Sequence, residues 1–191
     1  TTKKGTVKLQ GWVHDSRDLG GVKFVQIRDA TGILQVTFVK DKTKNALLDA
    51  LKGLTKESVV EVEGTLQENK KAQSGKELVP SSFKVLARSE PELPISVAEK
   101  QITTGQSKRF DWRCLDLRKL KHQALFRIQS ALLEGMRENL LKEGYIQVFT
   151  PCLIGVASES GSDVFPVIYF NQEAFLRQDP QLHRQLTIAG G

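Results

Sequence analysis

The sequence predicts an α+β chain of more than one domain, in which a five-stranded β-barrel precedes a mixed α/β part. Residues 1–88 consist of short β-like runs separated by turn residues, whereas residues 121–143 have a long helical periodicity and are followed by strand-like runs. Residues 1–88 also hold 16 Lys and Arg against 10 Asp and Glu, while residues 89–191 hold 12 of each. The net charge of +6 therefore belongs to the barrel part. That is typical of a module that binds a polyanion, although a surface tuned for solubility gives the same balance.

The first 88 residues predict a Greek-key barrel. Turn chemistry at Gly20–Gly21 and at residues 29–32 separates the first three strands, and a short helix is predicted over residues 45–51. The predicted strands are Val7–His14, Val22–Arg28, Ile33–Val39, Val59–Gln67 and Phe83–Arg88. Three strands, a helix and two more strands are the order of an OB-fold, and a small SH3-like barrel is the competing architecture.

The second half predicts a helix followed by a small sheet. Pro91 and Pro94 interrupt regular structure, so we expect residues 89–110 to form a linker or hinge. The helix 121–143 has one apolar face, and Gly144 is its expected stop. Strand-like runs follow at residues 145–149, 164–170 and 174–177, and another helix is expected from Pro180.

Several classes of protein are disfavoured by composition. No apolar run approaches the ~20 residues of a membrane-spanning helix, and the first residues have no signal-like segment, so we expect a cytoplasmic protein with no membrane partner. Cys114 and Cys152 lack the spacing of a metal site, and we expect no metal ligands.

Three barrel residues are candidates for RNA binding. OB-folds bind single strands on the face of their second and third strands through aromatic stacking and polar contacts. Phe24 lies on the second predicted strand, Gln35 on the third, and Arg17 in the preceding loop. Periodicity alone favours a core position for Phe24.

The segment Gly11–Phe24, with Arg28–Asp29 and Gly32–Val36, resembles the anticodon-binding barrel of class IIb aminoacyl-tRNA synthetases. It is most similar to aspartyl-tRNA synthetases of the archaeal and eukaryotic type. The resemblance implies that Arg17, Phe24 and Gln35 bind the anticodon, with Phe24 stacked on its central uridine. His14 matches a position where some members carry Trp, which implies relaxed choice between the tRNAs for aspartate and asparagine.

Residues 111–191 resemble the N-terminal part of the synthetase catalytic domain. The helix 121–143, with Gly144 and Pro151 after it, is similar to class II motif 1, which implies a homodimer interface. Residues 158–166 resemble the loop that closes over bound aspartate, and the resemblance implies that Glu159 meets the α-ammonium group of the substrate. In that loop Ser160 replaces the usual glycine.

The tract 174–185 resembles the amino-acid site of the same family. The resemblance implies that Gln178, Gln181 and Arg184 bind aspartate, and Pro180 favours an aspartyl over an asparaginyl enzyme. Asp179 replaces a serine and Arg184 replaces a lysine. An added carboxylate would repel an acidic ligand unless Arg177 or Arg184 neutralises it. We expect His183 to pack and His122 to lie on the solvent face of its helix.

The resemblance implies an aspartate–tRNA ligase that activates aspartate with ATP and Mg²⁺ and transfers it to tRNA. The arginines of motifs 2 and 3, which hold ATP in the family, have no match in residues 1–191, so we assign no catalytic residue and expect these residues alone to be inactive. A non-catalytic RNA-binding paralogue or fragment and an asparaginyl-tRNA synthetase remain alternatives.

Overall fold

The computed structural model describes residues 5–99, 101–156 and 164–191. They form two compact units, Thr1–Arg127 and Ile128–Gly191.

The first unit is built around a closed five-stranded barrel with the strand order β1-β2-β3-β5-β4. A short helix, α1 (Asn45–Ala50), separates the third strand from the fourth. The strands are β1 (Thr6–Asp18), β2 (Val22–Arg28), β3 (Ile33–Val39), β4 (Val59–Glu68) and β5 (Lys76–Ala87). Alternate residues point inward, as the period of a strand requires, and form one apolar core of Val13, Val25, Ile27, Val36, Phe38, Leu51, Val60, Val62, Leu78 and Phe83. The predicted barrel is confirmed.

β1 and β5 are each several residues longer than the sequence predicts. β1 continues to Asp18, so Arg17 lies on a strand and not in the predicted loop. β5 begins at Lys76, seven residues before the predicted start at Phe83. Its ladder with β4 extends from Val59↔Ala87 to Glu68↔Lys76. The polar residues of these extensions gain backbone hydrogen bonds from a neighbouring strand, which local apolar patterning does not reveal.

The chain after the barrel contains two short helices, α2 (Gln106–Asp111) and α3 (Arg113–Asp116). Ile95 and Val97 are buried within the predicted linker. The expectation of a solvent-facing His122 is wrong. Its Nδ1 lies 3.2 Å from the Asp116 carboxylate, which also accepts hydrogen bonds from Arg109 at 3.0–3.2 Å. This charged cluster withdraws His122 from water.

The long helix α4 covers Leu120–Lys142. It ends in a Schellman motif, in which Tyr145 N–H donates to Leu140 at 3.0 Å and Gly144 N–H donates to Leu141 at 3.1 Å. Gly144 has a φ of +85°, a left-handed conformation that a glycine adopts without steric cost.

The second unit has a three-stranded antiparallel sheet in the order β6-β8-β7. Its strands are β6 (Leu153–Ile154), β7 (Pro166–Tyr169) and β8 (Gln172–Leu176), and α5 (Gln181–Ala189) follows. The predicted strand at residues 145–149 is wrong: this run pairs with no strand among the described residues, and the nearest strand begins at Leu153. An apolar run forms a strand only where another strand completes its ladder.

Candidate nucleic-acid interface and amino-acid site

One cavity on the barrel brings together all three predicted anticodon residues. It has a volume of about 310 Å³, and its walls include Arg17, Phe24 and Gln35. Six further residues complete the lining, namely Asp15, Ser16, Leu19, Gln26, Asn69 and Lys71. Residues from β1, β2, β3 and the β4–β5 turn therefore meet at one site.

Strand register explains why these side chains converge. Arg17 pairs with Phe24 across β1 and β2, and Gln26 pairs with Gln35 across β2 and β3. Phe24 is half-buried and lies outside the barrel core. Its ring therefore forms part of the cavity wall, where a base could stack on it, and the periodicity argument for a core position is wrong.

The polar groups of the cavity differ in mobility. The Gln35 amide Nε2 lies 3.4 Å from Oε2 of Glu77, and the Thr37 hydroxyl donates to that same oxygen at 2.6 Å. Arg17 is 70% exposed, with Nε 3.5 Å from the Asp15 carboxylate. The amide of Gln35 therefore has a long contact with a neighbouring carboxylate, whereas most of the Arg17 side chain faces solvent.

Asp15 remains ionised beside Arg17. Burial raises the pKa of the Asp15 carboxyl. The Lys56 ammonium, 2.9 Å away, and the Arg17 guanidinium lower this pKa by more, so that it lies below its usual value. One wall of the cavity therefore carries a carboxylate that is partly neutralised by two cations.

Two residues of the cavity were missed by sequence reasoning. Asn69 and Lys71 belong to the turn between β4 and β5, which the closed barrel brings beside β2 and β3. The basic residues of this turn are visible in the sequence, but only the closure of the barrel shows that the turn lies at the cavity.

His14 lies beside a buried ion-pair network, and it does not line the cavity. Its Nδ1 is 3.0 Å from Arg28 Nη1. Burial, followed by the positive charge of Arg28, lowers the pKa of the His14 imidazole below its usual value. A contribution of His14 to tRNA choice would therefore act through Arg28 and the strand that carries it.

The network itself is a carboxylate held by two guanidinium groups. Arg28 donates two hydrogen bonds of 2.8 Å to Glu57, and Arg118 donates a third of 2.8 Å. The ring of Trp12 contacts both cations, with its centroid 5.8 Å from Arg28 Cζ and 5.3 Å from Arg118 Cζ. Arg118 belongs to the segment that follows α3, so the network joins the barrel to the start of the predicted catalytic domain.

In the second unit the predicted aspartate-binding residues lie around the start of α5. Gln178 is half-buried, whereas Gln181 and Arg184 are exposed one helical turn apart. Glu159 and Ser160 lie outside the described residues. The chain thus presents an amide and a guanidinium on one face of α5, a pair that suits a carboxylate ligand.

A cavity of about 460 Å³ lies next to this helix, and it contains Asp179 and His183 in place of Gln181 and Arg184. The rest of its wall is formed by Pro151, Leu153, Ile154, Gly155, Val156 and Leu182. Within the described ranges no cation lies within ion-pairing distance of Asp179. Arg177 instead donates to the backbone oxygens of Thr150 and Pro151, at 3.0 and 2.8 Å. Neither arginine therefore neutralises Asp179.

The face of α4 that resembles a dimer interface is exposed. Its apolar residues are between 50% and 66% exposed, namely Leu125, Ile128, Leu132, Met136 and Leu140. Pro151 is exposed as well. A groove along this helix is lined by Ala131, Leu132, Gly135, Met136, Asn139 and Leu140.

The described part of the chain comprises residues 5–99, 101–156 and 164–191. No helix in these ranges is long and apolar enough to cross a membrane. No group of three or more His, Cys, Asp or Glu side chains within them is arranged to hold a metal ion. Cys114 and Cys152 are both free and exposed.

Family comparisons divide the chain between residues 86 and 105, which is earlier than the boundary between the two compact units. Residues 7–86 match the OB-fold nucleic acid binding domain, and residues 105–191 match the class II tRNA synthetases (D, K and N). Together these matches cover both the barrel and the segment with the proposed amino-acid site.

Among curated proteins, the chain is 44% identical over 191 residues to the aspartate–tRNA(Asp/Asn) ligase of Methanocorpusculum labreanum, covering 100% of this chain and 44% of the relative. It is 45% identical over 185 residues to the enzyme of the same description from Methanopyrus kandleri, covering 97% and 43%. The asparaginyl-tRNA synthetase of Pyrococcus horikoshii, complexed with asparaginyl-adenylate, superposes with a TM-score of 0.86 at 31% identity, covering 98% of this chain and 42% of that one. The chain spans less than half the length of these relatives.

Proposed function

From the membership of this chain in the class II tRNA synthetases of the D, K and N group, we propose that the whole protein is an aspartate–tRNA ligase. The curated relatives described above are aspartate–tRNA(Asp/Asn) ligases, and they support this substrate. ATP activates aspartate with the help of Mg²⁺, and the aspartyl group then passes to tRNA. Class II sites accelerate such steps by positioning and by electrostatic stabilisation. The reaction belongs in the cytoplasm, where tRNA is charged.

Residues 1–88 form the anticodon-binding domain, residues 89–110 the hinge, and residues 111–191 the first part of the catalytic domain. The observation that carries this proposal is the cavity shared by Arg17, Phe24 and Gln35. An aromatic ring supplies stacking on any base, while an amide and a guanidinium can bind base edges. The net positive charge of the barrel attracts the RNA backbone without regard to sequence.

Replacing Phe24 tests the cavity. Phe24→Ala should weaken binding of an aspartate-anticodon stem-loop by about 1–3 kcal/mol, or roughly 5- to 150-fold, because one base loses its stacking partner. Fluorescence anisotropy with labelled stem-loop RNA measures this change. Phe110→Ala is the matched control, since Phe110 is an exposed phenylalanine outside the cavity. Equal affinities of the two folded variants would contradict the proposal.

Gln178, Gln181 and Arg184 bind aspartate, together with Glu159. Arg184 pairs with the side-chain carboxylate and Glu159 with the α-ammonium group. The position of Gln181 and Arg184 on one face of α5 supports this assignment. A guanidinium can replace the family's lysine because it keeps the charge, although it binds a carboxylate through two donors.

Arg184→Ala in the full-length protein should raise the KM for aspartate in ATP–pyrophosphate exchange by about 10- to 100-fold, the effect of losing one charge-assisted hydrogen bond. Arg184→Lys keeps the charge and is the matched control, with a smaller expected change. A KM unaffected by the alanine substitution would remove Arg184 from the substrate site.

Asparagine is the second candidate substrate, because an asparaginyl-tRNA synthetase shares this fold at 31% identity. Pro180 and the curated relatives favour aspartate. Exchange assays on the full-length protein with each amino acid decide between them, and faster exchange with asparagine would overturn the assignment. His14 supports a relaxed choice between the tRNAs for aspartate and asparagine, which charging of both tRNAs would test.

A non-catalytic RNA-binding role is the remaining candidate, and Asp179 is the residue that favours it. This half-buried carboxylate adds negative charge beside a site for an acidic ligand. The absence of ATP–pyrophosphate exchange by the full-length protein, combined with intact stem-loop binding, would establish that role.

A further inference from the structure

A second cavity opens at one end of the barrel, beside the turn that joins β1 to β2. Its volume is about 280 Å³, and it contains three lysines from three different elements. Lys23 comes from β2, Lys40 follows β3, and Lys52 follows α1. The neighbouring wall is formed by Asp18, Gly20 and Gly21. Cations from distant parts of the sequence therefore converge here, and the proposed anticodon site uses none of them.

The carboxylates near this cavity do not neutralise all of the positive charge of its lysines. Lys23 Nζ lies 2.9 Å from Asp18, and Lys52 Nζ lies 2.7 Å from Asp49. No carboxylate within the described part of the chain lies within ion-pairing distance of Lys40. Since Lys52 is 78% exposed and Lys23 36% exposed, both ammonium groups are accessible to an anion. The cavity therefore suits an anion of one or two charges.

The two cavities lie on either side of the same strand end. Arg17 lines the anticodon cavity and Asp18, the last residue of β1, lines the lysine cavity, because neighbouring residues of a strand point to opposite faces. In the turn that follows, Leu19 borders the first cavity, and Gly20 and Gly21 border the second. The backbone N–H of Lys40 donates to Gly21 at 3.0 Å, which ties Lys40 to the turn between the two sites.

The turn itself leaves room for a chain to cross. A Cβ atom added at Gly20 or Gly21 would meet nothing within 4 Å, so the space beside this turn is open. No side chain at these two glycines would obstruct a sugar–phosphate backbone that extends from the anticodon cavity toward the lysines.

We propose that Lys23, Lys40 and Lys52 form a phosphate-binding pocket for the backbone of the RNA whose base lies in the neighbouring cavity. This inference rests on the proposed anticodon binding. Lysine contacts to phosphate add affinity without selecting sequence, whereas contacts to base edges select it. The barrel thus binds the RNA base on its β2–β3 face and the RNA phosphates at the barrel end.

The salt dependence of RNA binding tests the pocket. We compare Lys40→Gln, Lys52→Gln and Phe24→Ala in the 191-residue chain, using an aspartate-anticodon stem-loop and a second stem-loop with the central anticodon base replaced. Each lysine variant should weaken both RNAs by the same factor and reduce the slope of log K against log salt by about 0.7, the value for one phosphate of a single strand. Phe24→Ala should weaken the first RNA more than the second and leave the slope unchanged.

Lys84→Gln is the matched control, because Lys84 is an exposed barrel lysine outside both cavities. If the Lys40 and Lys52 variants match Lys84→Gln in affinity and slope while Phe24→Ala weakens binding, the phosphate pocket is wrong and anticodon binding stands. If Phe24→Ala also binds normally, the proposed function itself fails. Inorganic phosphate that binds the chain without competing with the RNA would likewise overturn the pocket.

Discussion

Glu57 is a single buried side chain that connects distant parts of the first unit. The residue is buried and has a φ of +65°, a left-handed conformation that is uncommon for a residue with a side chain. Its backbone N–H donates to Val13 at 2.7 Å, and its carboxylate binds Arg28 and Arg118. The local conformation is therefore maintained by contacts that reach across the first unit.

Glu57→Gln should lower the free energy of unfolding by about 3–5 kcal/mol, because it leaves Arg28 buried without its carboxylate. Urea unfolding followed by tryptophan fluorescence measures the change, since Trp12 contacts both arginines. Glu63→Gln is the control. Its carboxylate is 42% exposed and pairs with a surface lysine, so a change of less than about 1 kcal/mol is expected. Equal losses in the two variants would contradict the argument.

The same carboxylate predicts a pH dependence of stability. Burial alone would raise the pKa of Glu57, but hydrogen bonds from Arg28 and Arg118 lower it below its usual value. The unfolded chain then binds a proton at a higher pH than the folded one. The stabilisation is complete above the ordinary glutamate pKa of about 4.3 and disappears as the pH falls through the lowered folded value. Urea midpoints should therefore fall more steeply below about pH 4 in the parent chain than in Glu57→Gln.

At the scale of an element, α4 illustrates how local chemistry ends a helix. Gly144 occupies the left-handed position of the Schellman motif, whereas Gly135 lies in the helix interior. A Cβ atom added at either glycine would meet nothing within 4 Å, so only the backbone conformation distinguishes them. The same substitution should therefore have opposite effects at the two positions.

Gly144→Ala should destabilise α4 by about 1 kcal/mol, because a side chain disfavours the left-handed conformation. Gly135→Ala should stabilise it by about 0.5–1 kcal/mol, since alanine loses less conformational entropy in a helix. Thermal unfolding followed by circular dichroism at a helical wavelength compares both variants with the parent chain. A shift of the same sign in both would show that the motif does not control the helix end.

At the scale of the whole molecule, two surfaces are suited to binding partners. The barrel carries the net positive charge, and α4 exposes a row of apolar side chains. Exposed apolar patches of this kind mark interaction sites in soluble proteins. Because the helix resembles class II motif 1, we propose a second copy of the full-length protein as the partner of α4.

Met136→Glu should therefore weaken dimerisation of the full-length protein, because a charge at the centre of an apolar interface loses its hydration. Sedimentation velocity over a range of concentrations measures the shift toward monomer. Ser130→Glu is the control, since Ser130 is exposed on the same helix and lies about 120° around the helix axis from Met136. An unchanged dimer in Met136→Glu would exclude this face as the interface.

Sequence patterning predicted most of the elements and part of the sites. The alternation of Val22–Arg28 and Ile33–Val39 located β2 and β3 to the residue, and Gly144 located the end of α4. The strand predicted at residues 145–149 is wrong, and β5 begins seven residues earlier than predicted. These errors share a cause: a strand depends on its partner, and local patterning does not reveal that partner.

The sequence by itself determined the five-stranded barrel, the apolar face of α4 and the residue types of an anticodon site, because these follow from periodicity, turn chemistry and motif. Only the tertiary structure decided that Asn69 and Lys71 join the cavity wall beside Phe24 and that His14 lies against Arg28. Barrel closure brings together residues that are tens of positions apart in the chain. Pairing across strands, which no local pattern encodes, therefore decides where their chemistry meets.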